Sequence, residues 1–204
     1  MKTRLMMILL ALLALNGLSA SAQVKYGGKV GLDLTNFWGK DIGHAMAFNF
    51  QAGLLMEYQF SHAFAVAPEV VFASQGSGKM KLYDAGWIGA DPSADISYQT
   101  NYINVPVMLK YYATPAFSID FGPQVGFNVY SKYSITGDDV INQVAQDNKD
   151  STKAIDFGLG LGGTYNLTEN AFVQARYTMG LTNTFKGDGD CKNGNIQLAF
   201  GMKF

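Results

Sequence analysis

One cysteine, two histidines and, past the first residues, no long apolar run set the limits for this chain of 204 residues. With Cys191 alone, no disulfide can staple the fold from within. His44 and His62 give no metal-ligand spacing. There is no G-x-S-x-G element and no phosphate-binding loop either, so the sequence offers no catalytic centre, cofactor site or metal site. Beyond residue 22 no stretch of about 18 apolar residues occurs, which excludes a transmembrane helix. The formal charge of −1 is too mild for a nucleic-acid partner.

The first residues are an address. Lys2 and Arg4 precede an apolar run from Leu5 to Leu15, and Ala20-Ser21-Ala22 offers small residues at a cleavage position. Residues 1–22 therefore read as a secretory signal peptide and 23–204 as the exported domain. Losing Lys2 and Arg4 with the leader takes the formal charge from −1 to −3. No cysteine lies near the cleavage position, which argues against a lipid anchor.

What the chain has in abundance is alternation. Ile196, Leu198, Phe200, Met202 and Phe204 take every second position, with Gln197, Ala199, Gly201 and Lys203 between them. Such a segment has two distinct faces as a strand and none as a helix. The same pattern predicts strands at roughly 24–35, 45–60, 64–76, 98–113, 117–130, 153–166, 171–181 and 195–204. The connections alternate. Those at 61–63, 114–116 and 167–170 are short, and those at 36–44, 77–97, 131–152 and 182–194 are long. Short turns on one side and long loops on the other are the habit of outer-membrane barrels, with both termini in the periplasm.

The charges decide which face meets lipid. Lys25, Lys29, Lys110, Arg176 and Lys203, with Asp33, Glu57, Glu69, Asp120 and Asp156, all fall on the polar phase. A charge on the lipid face near mid-bilayer costs about 2–4 kcal/mol. Five positive and five negative side chains in one narrow lumen predict a paired network that plugs it, and hence an eight-stranded, antiparallel, up-and-down transmembrane β-barrel. The rival is a soluble barrel of the lipocalin or avidin kind, apolar face inward. The phenylalanines, tyrosines and methionines of that face are too bulky for a small lumen. Tyr26, Tyr58, Phe60, Phe64, Tyr111, Phe117, Tyr165 and Phe204 also lie near strand ends, as aromatic girdles do. Pro68, Pro106 and Pro123 fall inside predicted strands, so bulges or locally open pairing are expected there.

Several segments carry a family resemblance: K-V-G-L-D-L (Lys29–Leu34), Q-A-G-L-L-M-E-Y (Gln51–Tyr58), P-E-V-V-F-A-S-Q-G (Pro68–Gly76) and Y-I-N-V-P-V-M-L-K-Y-Y (Tyr102–Tyr112). G-P-Q-V-G-F (Gly122–Phe127), D-F-G-L-G-L-G (Asp156–Gly162), R-Y-T-M-G-L-T-N (Arg176–Asn183) and the terminal Phe204 complete the set. In number, order and spacing these resemble the PorT-like outer-membrane β-barrel family of Gram-negative bacteria, over essentially all of residues 23–204. The resemblance implies an eight-stranded barrel and no catalytic motif. Some relatives assist protein secretion, which implies an accessory role of that kind here. Resemblance to outer-membrane barrels in general implies that the terminal aromatic Phe204 is an assembly signal read by the barrel insertion machinery.

The expected function is that of a small outer-membrane barrel with a structural or interaction role, not an enzyme. The alternatives are a narrow solute channel and an accessory barrel of a secretion system. Loops 77–97 and 131–152 are the expected contact surfaces for envelope or secretion proteins. The first carries Met80, Leu82, Tyr83, Trp87 and Ile88, and the second Asp138, Asp139, Asp147 and Asp150. Asp41 with His44 is the only acid–histidine pair at a rim, and reads as a solvated loop. Asp188, Asp190 and Asn193 faintly suggest a calcium loop. Lys192 stands where an oxygen ligand belongs, so turn chemistry explains them better. Cys191, on the same loop, is expected to be an exposed thiol.

Overall fold

Successive side chains leave a strand on opposite faces, so a period-two sequence with one lipid-compatible phase folds as a wall with an inside and an outside. The computed structural model describes residues 23–38, 46–81, 95–136, 144–147, 152–184 and 191–204. The signal-peptide reading and the Asp41–His44 and Asp188–Asp190 readings lie outside these residues. Among the described residues there are nine strands: β1 (Gln23–Trp38), β2 (Ala47–Gln59), β3 (Phe64–Lys81), β4 (Asp95–Tyr112), β5 (Phe117–Thr136), β6 (Val144–Asp147), β7 (Ile155–Asn166), β8 (Ala171–Asn183) and β9 (Lys192–Lys203). Eight of them close a barrel of antiparallel neighbours, with β1 paired to β9 and β4 to β5.

Two differences from the sequence reading concern the loops. β3, β4 and β5 run past the expected limits, pairing out to Lys81↔Asp95 and Asp95↔Thr136. β6 is an additional short strand within the expected loop 131–152, and pairs with the far end of β5. The extension of β3, Ser77-Gly78-Lys79-Met80-Lys81, is mostly polar, so alternation fades there, whereas Ile96, in step with Tyr98 on β4, and Tyr133 and Ile135 on β5 continue it beyond the expected limits.

Register fixes the tilt. From Val24 the paired residues run through Tyr58, Val66, Leu109, Phe121, Leu161, Tyr177 and Ile196, and meet β1 again at Leu34. The circuit thus climbs from residue 24 to residue 34, a shear of ten for eight strands. That corresponds to a strand tilt of about 40°. The belt itself is apolar and faces outward.

The burial pattern inverts that of a water-soluble protein. Leu32 is 66% exposed while its neighbour Asp33 is 0% exposed. Phe48, Phe50, Leu54, Leu161, Leu198 and Met202 all point out. Inside lie Lys29, Gln51, Glu69, Asn104, Asp120, Arg176 and Gln197. At the end that carries the short turns and both strand termini, Phe60 stacks on Phe64 at 6.3 Å and Phe64 meets Tyr111 at 5.3 Å between ring centroids, part of an aromatic collar.

The prolines cause no bulges. Rungs are missing between Pro68 and Val71 against β4, and between Pro106 and Leu109 against β5, with the register kept on either side. Local opening suffices because proline lacks only its donor. Register shifts fall elsewhere, at Ser77/Met80, Asn101/Tyr102 and Met179/Asn183. At the second of these Val129 and Tyr130 both face outward, and Ser131 turns in.

Gly122 on β5 and Gly160 on β7 are paired neighbours with different reasons to be glycine. A Cβ on Gly122 would collide with the Val107 carbonyl oxygen, a backbone atom that cannot step aside. A Cβ on Gly160 would first meet the Met108 Cε at 3.3 Å, the free tip of a flexible side chain. Gly122→Ala is therefore expected to destabilise the barrel by about 1–3 kcal/mol, as overpacking does. Gly160→Ala should cost much less. Denaturant unfolding of the two variants in detergent checks the order, and equal stabilities would contradict the close β4–β5 approach.

Candidate functional site

A closed barrel with a polar inner phase has one built feature, its lumen. Shear brings into contact charges far apart in sequence. Arg176 on β8 forks onto Glu69 on β3, Nη1 to Oε2 at 3.0 Å and Nη2 to Oε1 at 2.7 Å. Lys29 on β1 donates to the same Glu69 Oε2 at 2.7 Å. One carboxylate thus serves two cations, all three buried. Lys29 also donates to Gln174 Oε1 at 2.9 Å, and Gln174 Nε2 donates onward to Asp120 Oδ2 at 3.3 Å.

From Asp120 the chain of contacts runs toward the terminus end. Lys110 reaches Asp120 at 3.3 Å and Glu57 at 3.6 Å, and Lys203 reaches Glu57 at 3.2 Å. Tyr112 donates its hydroxyl to Glu57 Oε1 at 2.5 Å, while Ser118 and Thr164 donate to Asp120 at 2.7 and 2.5 Å. A connected set of this kind leaves few charges half-satisfied in a low-dielectric interior, where isolated ions are expensive.

Of the ten charges placed on the polar phase, seven join this network: Lys29, Glu57, Glu69, Lys110, Asp120, Arg176 and Lys203. Three do not. Lys25 is half-buried beside Lys203 and Glu57 at the terminus-end mouth, and makes no ion pair among the described residues. Among the described residues, Asp33 is hydrogen-bonded by the side chains of Gln51 and Asn195, and Asp156 by those of Thr182 and Asn193. The even count of charges therefore hides an uneven distribution. All five of these cations lie on the terminus side of Asp33, and both acids outside the ion-pair network lie toward the loops.

The sequence reading missed the apolar fillers. Phe172, Met108 and Tyr102 point inward and are fully buried. Phe172 lies across Gly201, and Lys203 sits over its ring at 5.4 Å. Their signal was parity itself: Phe172 shares a phase with Arg176, and Tyr102 and Met108 share one with Lys110. Between Phe172 and the charge network remains a cavity of about 10 Å³, bordered by Leu55, Glu57, Glu69 and Lys110. That is room for about one water molecule. Beneath it the terminus-end mouth opens as a bowl of about 570 Å³, lined by Lys25, Glu57, His62, Tyr112 and Lys203.

Cys191 corrects an expectation. It is 5% exposed, not a surface thiol: β9 begins at Lys192, earlier than expected, and Cys191 continues the inward phase of Asn193, Asn195 and Gln197, its carbonyl accepting from the Thr184 amide at 2.7 Å. Phe204 stands on the outer face, 81% exposed, and exchanges backbone hydrogen bonds with Tyr26 at 3.0 and 2.8 Å. Lumen geometry yields a direct test. Glu69→Ala strands Lys29 and Arg176 without a counter-charge and is expected to cost about 3–5 kcal/mol. Lys25→Ala, at the half-open mouth, should cost less than about 1 kcal/mol. Chemical unfolding in micelles reports both, and similar losses would show that the triad carries no special weight.

The comparisons agree with this architecture. The family described as "Outer membrane protein beta-barrel domain" matches residues 19–186. No curated protein matches the chain. Among solved structures, Ail, the attachment invasion locus protein of Yersinia pestis, is 14% identical, with 89% of this chain and 99% of that chain covered and a TM-score of 0.56. A major outer membrane protein from Thermus thermophilus is 12% identical over 89% of this chain and 100% of that one, with a TM-score of 0.53. Neisserial surface protein A is 14% identical over 90% and 99%, with a TM-score of 0.50. At such identities the likeness is one of fold. The inverted burial, the closed eight-stranded wall and a match over most of its length make this chain a small outer-membrane barrel that belongs to the outer membrane protein beta-barrel domain family.

Proposed function

We propose that this protein is a non-enzymatic barrel whose lumen is a structural plug and whose work is done at its rims, in envelope integrity or in contact with other molecules. The observation that carries this reading is the packed middle of the lumen, where Glu69, Lys110, Gln174 and Phe172 border a cavity of only about 10 Å³ beside the Arg176–Glu69–Lys29 triad. In this reading both termini are periplasmic. The segments 77–97 and 131–152, of which 82–94, 137–143 and 148–151 lie outside the described residues, serve in this reading as contact surfaces for envelope or secretion proteins. Two structurally similar proteins are named for attachment and for the cell surface, which supports a contact role. The likeness of the sequence motifs to those of PorT-like barrels favours, as a second reading, an accessory part in protein secretion.

Purified barrel in planar bilayers is expected to give no steady conductance. A stable current would favour the narrow solute channel instead. Affinity capture from cross-linked outer membranes then separates the contact readings. Enrichment of secretion components supports the accessory role, and their absence removes it.

Phe204 has a second assignment in this reading. It acts as an assembly signal for the barrel insertion machinery, besides its place in the aromatic collar. Deleting it removes one side chain of burial, worth about 1.5–3 kcal/mol, which an intact barrel can survive. Loss of insertion in cells with near-normal refolding of the purified variant is the expected outcome. Normal insertion in cells would leave only the collar role.

A further inference from the structure

Asp33 is held differently from the buried carboxylates of the ion-pair network. Glu69 has two cations, Glu57 has Lys110, Lys203 and Tyr112, and Asp120 has Lys110 with two hydroxyls and an amide. Asp33, at 0% exposure, has two amides and no cation among the described residues. Gln51 Nε2 donates to Oδ1 at 2.8 Å, and Asn195 Nδ2 stands 3.5 Å from Oδ2, at the outer limit of a hydrogen bond. No lysine or arginine among the described residues pairs with it. An anion buried this way, with one good hydrogen bond, is costly.

The two amides supply a second, separate observation. Gln51 Oε1 and Asn195 Oδ1 are both buried and both lack a hydrogen-bond partner. Each oxygen shares its carbon with the nitrogen that touches Asp33. Turning either amide about its last bond exchanges the two atoms and brings the oxygen to the carboxylate. Without a positive charge between them those oxygens would repel the carboxylate. With one, they complete a set of four oxygens from three strands, β1, β2 and β9. The charge distribution points the same way, since the five lumen cations named above lie on the far side of Asp33 from the loops.

We propose that the loop-end half of the lumen binds a hard, oxygen-ligated metal cation at Asp33, with the side-chain carbonyls of Gln51 and Asn195 as further ligands. Carboxylate and amide oxygens without sulfur or imidazole suit calcium-like ions and not the softer transition metals. Among the described residues no group of three acids, histidines or cysteines offers a competing site. A bound ion would neutralise Asp33 and tie β1 to β2 and β9, so its effect is read as barrel stability.

The test uses the barrel refolded in detergent, in calcium, sodium or tetramethylammonium chloride at matched ionic strength. The temperature at which the compact gel mobility is lost is the readout. A site that binds only the folded form raises this midpoint as calcium rises above its dissociation constant. Wild type should respond to calcium and not to tetramethylammonium, Asp33→Asn should not respond, and Asp156→Asn should still do so. If Asp33→Asn does not refold, Gln51→Met serves, since it removes one ligand oxygen and should shift the response to higher calcium. The proposal is overturned if wild type responds no better to calcium than to tetramethylammonium. It is equally overturned if the response survives Asp33→Asn, or survives Gln51→Met unshifted.

Discussion

In a bilayer core there is no water to satisfy a strand's backbone, so each N–H and C=O must find its partner in a neighbouring strand, and the sheet must close on itself. Everything else in this molecule depends on that closure. Eight strands with a shear of ten enclose a narrow tube, and half of all strand side chains must enter it. The interior cannot hold that many polar groups with a column of water beside them. They are forced against one another, and the lumen becomes a packed polar core. The few rungs lost at Pro68 and Pro106 are tolerated because the register on each side stays intact.

Crowding explains how the interior is composed. Glycine faces inward where tilted strands approach most closely, as Gly122 does under the Val107 carbonyl. Long cations reach across the tube, as Arg176 does to Glu69 and Lys203 to Glu57. Phe172 and Met108 fill what the charges leave. The terminus-side half is thereby cross-braced by ion pairs, while the loop-side half is lined by amides and hydroxyls around Asp33 and Asp156. The two halves of one tube have different chemistry, set by which residues fall four positions apart along β1: Lys29 below and Asp33 above.

The wall was legible because it obeys a local rule. Alternation at Ile196 to Phe204 and at Met46 to Phe60 marks outer and inner phases without knowledge of any partner, and the charges label the inner one. Pairing inside the tube was not legible. That Lys29 meets Glu69, 40 residues away, depends on register summed over the whole circuit, which no single segment encodes. Phe172, Met108 and Tyr102 were overlooked because large apolar residues on the polar phase look like noise until the tube's diameter is known. The pairing out to Lys81↔Asp95 and the strand β6 lie beyond the expected strands because Ser77 to Lys81 and Val144 to Asp147 offer little apolar alternation to read. Cys191 was misplaced because β9 begins before residue 195: with the strand running back to Lys192, Cys191 falls on the inward phase of Asn193, Asn195 and Gln197.

The seam between β1 and β9 sets the timing of this protein's life. Gly27 pairs with Lys203, so the first stave has no second neighbour until the ninth has been synthesised. Through that interval two open strand edges invite pairing with other chains, and the acids and amines of the future lumen have nothing to face. Contacts between residues so distant in sequence are also the slowest to form. A chain built this way cannot mature stave by stave as it is made. It must be kept loose during delivery, and it becomes watertight only in its final act, when its two ends find each other.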